Sequence, residues 1–234
     1  MKKFALVLMI AIIGTITSCE KDDLTLPSDV DFEFSMNPYT PANELKAGQG
    51  FTIDKGKLIL SSIEFDGRRN EGEDYYFSRN FTSPLEAELH TKELNQEVHF
   101  DIPQGIYNTI EISFYLGEES KNGLFLNGTL QKGPFEEVPI QFEYAAGEVI
   151  RIKAKNSGES EVIALKKDTP SKASVIFDAE MFFRFVNVNM IMNAETTSID
   201  GVETIVINED YNNDIFSFLI ARMPISLRVI FEDQ

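Results

Sequence analysis

Residues 97–116, "EVHFDIPQGIYNTIEISFYL", carry the pattern that decides the fold. Val98, Phe100 and Ile102 alternate with charged residues, as do Ile110, Ile112, Phe114 and Leu116 with polar ones. A period of two sends successive side chains to opposite faces of a strand. Between the two runs, Pro103-Gln104-Gly105 breaks the pattern, because proline cannot donate to a ladder and glycine supplies positive φ for a turn. The stretch therefore reads as strand, turn, strand.

The same period extends in both directions. Val30, Phe32, Phe34 and Met36 alternate with polar residues, and "KLILSSIEF" (57–65) reads as a more buried strand. "LEAELHT" (85–91), "PIQFEY" and "VIRIKA" continue the series to residue 154. Many short alternating strands predict a mainly β chain, an antiparallel β-sandwich of transthyretin-like or immunoglobulin-like kind. "GESEVIALKKDTPSK" (158–172) reads as a polar connection and "ASVIFD" (173–178) as a returning strand. The last third differs: "AEMFFRFV" (179–186) and "NNDIFSFLIARM" (212–223) have helical spacing. Asn212 or Asn213 is placed to cap the second helix and Pro224 to end it, while "ETIVIN" and "ISLRVIF" read as two more strands.

The start of the chain has its own logic. Lys2 and Lys3 precede thirteen uncharged residues, Phe4 to Ile16, too few to span a hydrocarbon layer of about 30 Å as a helix. They fit the apolar region of a secretory signal peptide. Ile16-Thr17-Ser18-Cys19, with the chain's one cysteine, resembles a bacterial lipobox, which implies cleavage before Cys19 and lipid on its thiol. Lys21-Asp22-Asp23 follows at once and resembles the surface-export signal of Bacteroidota-type lipoproteins. The implied partner is the outer membrane of a Gram-negative bacterium, held through the lipid, with the body outside the cell. The organisation expected is signal peptide 1–18, lipidated cysteine and acidic tether 19–29, β-sandwich 30–178, and an α+β extension 179–234 packed on the sandwich.

"FDIPQGIYNTIEISF" also resembles the strand-turn-strand of transthyretin-like sandwiches, in which Gly-x-Tyr opens the second strand. The run 30–178, ending in "VIFDAEMFF", resembles a domain of unknown function in Bacteroidota-type lipoproteins, a group that includes fimbrillin-like surface sandwiches. The resemblance implies fold and location and carries over no catalytic residue.

Composition sharpens the choice of partners. Of 21 basic and 38 acidic residues, the signal segment removes only Lys2 and Lys3, leaving 19 against 38 and a net charge near −19. Such a chain repels nucleic acid. The sequence contains no H-E-x-x-H, G-x-S-x-G, C-x-x-C or P-loop and implies no cofactor. "DYNND" (210–214) opens like a calcium loop, but Ile215 and Ala221 occupy the glycine and final glutamate positions, so that reading fails.

Two candidate sites remain. The charged loop "DGRRNEGEDYYF" (66–77) ends in Tyr75 and Tyr76, which could stack a sugar face in a chain without tryptophan. If strands 85–91 and 97–102 form a hairpin, Leu89 opposes Phe100, His90 opposes His99 and Glu88 opposes Asp101. Two imidazoles and two carboxylates on one face could bind a divalent metal; the alternative is a solvated polar face. The function expected is a non-catalytic surface module that binds a glycan or protein, or else an accessory subunit of a surface assembly such as a fimbria or nutrient-uptake complex.

Overall fold

Two β-sheets share one apolar core in the computed structural model, which describes residues 23–41, 50–117, 122–145, 147–158 and 160–232. The described elements run β1 (Pro27–Asn37), β2 (Gly50–Arg69), β3 (Tyr75–Glu88), β4 (Glu93–Leu94), β5 (His99–Pro103), β6 (Gly105–Leu116) and β7 (Leu124–Gly133). They continue with β8 (Glu136–Tyr144), β9 (Val149–Lys153), β10 (Lys155–Asn156), β11 (Ile163–Leu165) and β12 (Ser171–Asp178). The remainder is α1 (Ala179–Phe183), α2 (Val188–Met192), β13 (Thr196–Ile199), β14 (Val202–Ile207), α3 (Asn213–Ile220), α4 (Met223–Ser226) and β15 (Leu227–Phe231). The chain is mainly β, with four short helices late in the described sequence.

The smaller sheet has the order β10-β15-β12-β1-β5. The larger follows β11-β6-β2-β7-β8-β14-β13, with β3 and β4 beyond β2 and β9 on β6. β2 organises the larger sheet. Its 20 residues pair with β3 along one edge; along the other they pair first with β7 and then with β6. The neighbour of β2 changes from β7 to β6 at Ile59, whose N–H donates to the Gly123 carbonyl and whose carbonyl accepts from the Gly117 N–H. Register shifts at Ile53/Lys55 and Leu60/Ser62 insert one extra residue each, and such bulges bend a strand. The first bulge lies against Gly128, where a Cβ would come within 1.8 Å of the Thr52 carbonyl oxygen, so only glycine fits.

Most pairings are antiparallel, but β1–β12, β10–β15 and β8–β14 are parallel, so both sheets are mixed. β1 buries Val30, Phe32 and Phe34 while Asp29, Asp31 and Glu33 face water, as the period of two requires. Phe34 of β1 meets Phe114 of β6 with ring centroids 6.2 Å apart, and Phe100 of β5 meets Phe77 of β3 at 4.7 Å. These pairs join the two sheets; full burial of one such ring is worth about 1.5–3 kcal/mol.

The turn at 103–105 carries the chain from the smaller sheet to the larger. Gly105 has φ +149°, which only glycine adopts easily. Tyr107 is fully buried, and its hydroxyl donates back to the Pro103 carbonyl at 2.7 Å. Burial pushes this hydroxyl up to about 12, so it remains a donor at neutral pH. A tyrosine that bonds to backbone a few residues upstream is a known corner device of β-sandwiches.

Several expected boundaries move. β1 begins at Pro27, inside the expected tether, and Ser28 is already buried. β2 runs on to Arg69, because its charged residues can ride an outward face of a strand. The polar connection 158–172 contains β11, whose Ile163 and Leu165 are buried against β6. Residues beyond 178 do more than pack on the sheets: β15 lies between β12 and β10, and β14 extends the larger sheet beside β8.

The helices cover one end. The Asp178 carboxylate accepts from Met181 N–H and caps α1. Arg222 closes the other end of α1 by donating to the Met181 and Phe182 carbonyls. The expected cap of α3 is not made. Asn212 stands at the N-cap with φ +50°, but its side chain donates to the Glu195 and Val206 carbonyls instead. Pro224 opens α4 and does not end α3, which stops at Ile220.

Candidate functional site

The expected histidine hairpin is not formed. β3 pairs with β2 and, at Ala87–Glu88, with β4. β5 crosses to the smaller sheet and pairs with β1, in the register Val30↔Phe100, Asp31↔His99 and Asp29↔Asp101. The expected faces nevertheless hold: Leu89 and Phe100 are buried, and His90 and His99 are exposed. Alternation within a strand fixes the buried face whichever strand lies beside it.

The four proposed ligands therefore divide between the two sheets. Glu88 and His90 stay together, 3.9 Å apart, beside Lys57, which pairs with Glu86 at 2.6 Å and Glu88 at 3.3 Å. His99 and Asp101 join two aspartates that the sequence reading did not include. His99 Nδ1 lies 2.9 Å from Asp31 Oδ1, and Nε2 lies 3.8 Å from Asp29 Oδ1 and 3.6 Å from Asp101 Oδ1. The Asp31 hydrogen bond raises the His99 pKa above its ordinary value, with Asp29 and Asp101 adding to the effect.

Chemically, the neutral ring would donate from Nδ1 to Asp31 and turn the Nε2 lone pair toward Asp29 and Asp101. Asp29, His99 and Asp101 each offer one ligand atom, all within 4.8 Å of one another. A nitrogen and two carboxylate oxygens suit a borderline divalent cation, with Asp31 orienting the imidazole as outer-shell carboxylates do. All of these side chains are exposed. Asp29 and Asp31 escape sequence reasoning because the partner of β5 comes from far upstream, Asp31 lying 68 residues before His99.

Tyr75 and Tyr76 do not form one surface. They are neighbours on β3 and point to opposite faces. Tyr75 is half-buried against Phe65 and Phe77, with its hydroxyl 3.5 Å from the Asp101 carbonyl, whereas Tyr76 is exposed. Only Tyr76 is available to stack on a ligand.

A third arrangement lies where the chain enters the body. Cys19, Lys21 and Asp22 are outside the described residues; Asp23 is within them. The Asp23 carboxylate accepts from the Thr25 amide at 3.0 Å and hydroxyl at 2.6 Å, which lowers its pKa. Arg69 Nη2 donates to the Leu24 and Gln104 carbonyls, both at 2.7 Å, and its guanidinium lies 5.8 Å from the Tyr107 ring centre. A cleft of about 690 Å³ opens beside them, lined in part by Leu24, Asn70, Ile106 and Leu165. No motif marks Arg69, which reads in the sequence as one more charge in a charged loop. Comparison with protein-family models, with curated proteins and with solved structures yields no match to this chain.

Proposed function

We propose that this chain is an outer-membrane lipoprotein of a Gram-negative bacterium, anchored through acylated Cys19 and displayed at the cell surface. Its body is a transthyretin-like or immunoglobulin-like β-sandwich that acts as a non-catalytic binding or adhesion module. The observation that carries the proposal is the order of basic residues, short apolar run and cysteine in residues 2–19. The sandwich assignment is supported by the two facing sheets and by the Tyr107–Pro103 corner. Among the described residues, the buried polar side chains other than tyrosine are five serines and a threonine, while acids and bases lie nearer the surface. That distribution favours recognition on a rigid scaffold over proton-transfer chemistry in a buried site.

The test uses soluble residues 24–234 in a glycan array and in pull-downs from host and bacterial surface extracts. Saturable retention of one ligand, unchanged on release, supports a binding module. Chemical turnover of a retained ligand overturns it.

A further inference from the structure

We infer that the segment leading from the anchor is clamped to one end of the body, and that this clamp fixes which end of the protein faces the membrane. The inference rests on the lipid-anchor reading of Cys19. Its observations come from Asp23 onward.

Residues 23, 24, 26 and 27 are each bound to the body. Gln104 Nε2 donates to the Asp23 carbonyl at 2.8 Å, Arg69 Nη2 to the Leu24 carbonyl at 2.7 Å, and the Gln104 amide to the Leu26 carbonyl at 2.8 Å. Pro27 then enters the β1–β5 ladder opposite Pro103. Arg69 is itself held, because its Nη1 donates to the Glu73 carbonyl at 3.3 Å and its Nη2 also to that of Gln104. One guanidinium thus joins the entering chain, the β2–β3 turn and the β5–β6 turn. The absence of a side chain at Gly105 leaves room for it, since a Cβ there would lie 3.0 Å from Nη2.

The lengths decide the consequence. From Cys19 to Asp23 the chain can reach at most about 14 Å. β2 alone, with 20 residues, would extend about 66 Å if straight. The clamp sits at the Arg69 end of β2. The opposite end is marked by Gly50, paired with Gln131, and by Asn37, paired with Asp178. So short a leader cannot carry the body over while the clamp is closed. The end bearing Glu71, Gln104 and Lys166 therefore lies against the lipid headgroups. The end bearing the β7–β8 turn points outward, with Phe135 at its tip 99% exposed, and Phe185 after α1 at the same end is 62% exposed.

The experiment uses the full lipidated chain in phospholipid vesicles that contain a headgroup nitroxide quencher. Acylation consumes the Cys19 thiol, so Glu71→Cys and Phe135→Cys each supply one site for a thiol-reactive fluorophore. The Glu71 label is expected to be quenched several-fold more strongly than the Phe135 label. Arg69→Ala, and the milder Gln104→Ala, should narrow that difference while the protein still floats with the vesicles and keeps its far-ultraviolet spectrum. Equal quenching in vesicle-bound protein, or stronger quenching at Phe135, overturns the orientation and leaves the anchor standing. Protein that carries no acyl chain and does not float overturns the anchor reading, and the orientation with it.

Discussion

His99 stands among three aspartates, so proton binding there is a direct readout of the β1–β5 pairing. The folded protein favours the imidazolium because Asp31 lies 2.9 Å from Nδ1. A folded pKa above the unfolded value of about 6.5 gives stability that is complete below that value and is lost as pH rises through the folded one. Histidine NMR should place the His99 midpoint above the ordinary value, and Asp31→Asn should lower it. A midpoint at or below about 6.5 in the native protein would contradict the pairing. Tyr107 offers a second residue-scale test. Tyr107→Phe keeps the buried ring but removes the donor to Pro103, and the loss of such a bond costs about 1–2 kcal/mol. Urea denaturation should show that decrease without a change in the slope of the transition. No change in midpoint would mean that the corner bond is not a stabilising contact.

At the scale of elements, period and partner separate cleanly. The period of two places Leu89, Val98 and Phe100 inward and both histidines outward, and the structure keeps those faces. Pairing partners are not written in the period. β5 follows β3 and β4 in sequence but lies beside β1; among the described residues the edge of β3 that faces away from β2 is paired at Ala87–Glu88, and Phe32, Phe77 and Phe100 bring the two sheets together at β5. Short elements are the least legible: three apolar residues among charges hide β11, and the charged end of β2 reads as loop. Spacing made α1 and α3 legible but neither α2 nor α4, and the Asn212 contacts were not legible either, since they depend on Glu195 and Val206 arriving from elsewhere. Phe100→Ala tests the element directly. The side chain is 6% exposed and touches rings from both sheets, so a cavity there should destabilise the protein by about 3–5 kcal/mol. His99→Ala on the opposite face, measured at a pH where the imidazole is neutral, should change stability by no more than about 0.5 kcal/mol. Equal effects in thermal denaturation would show that the faces are wrongly assigned.

For the whole molecule, the proposed anchoring and display rest on residues 2–23. Lys21-Asp22-Asp23 lies between Cys19 and Leu24. Alanine at all three positions should leave the protein in the outer membrane but shield it from protease added to intact cells. Unchanged cleavage would remove the export role of these residues and leave the anchor untouched. Two or more acyl chains make membrane attachment stable where one does not. The mass of the N-terminal peptide of the protein recovered from membranes decides whether Cys19 is the anchor. The prediction is a chain beginning at Cys19 with acyl groups on it, and loss of that species in Cys19→Ala. A mature protein that begins at Met1, or that carries an unmodified Cys19, would contradict the account.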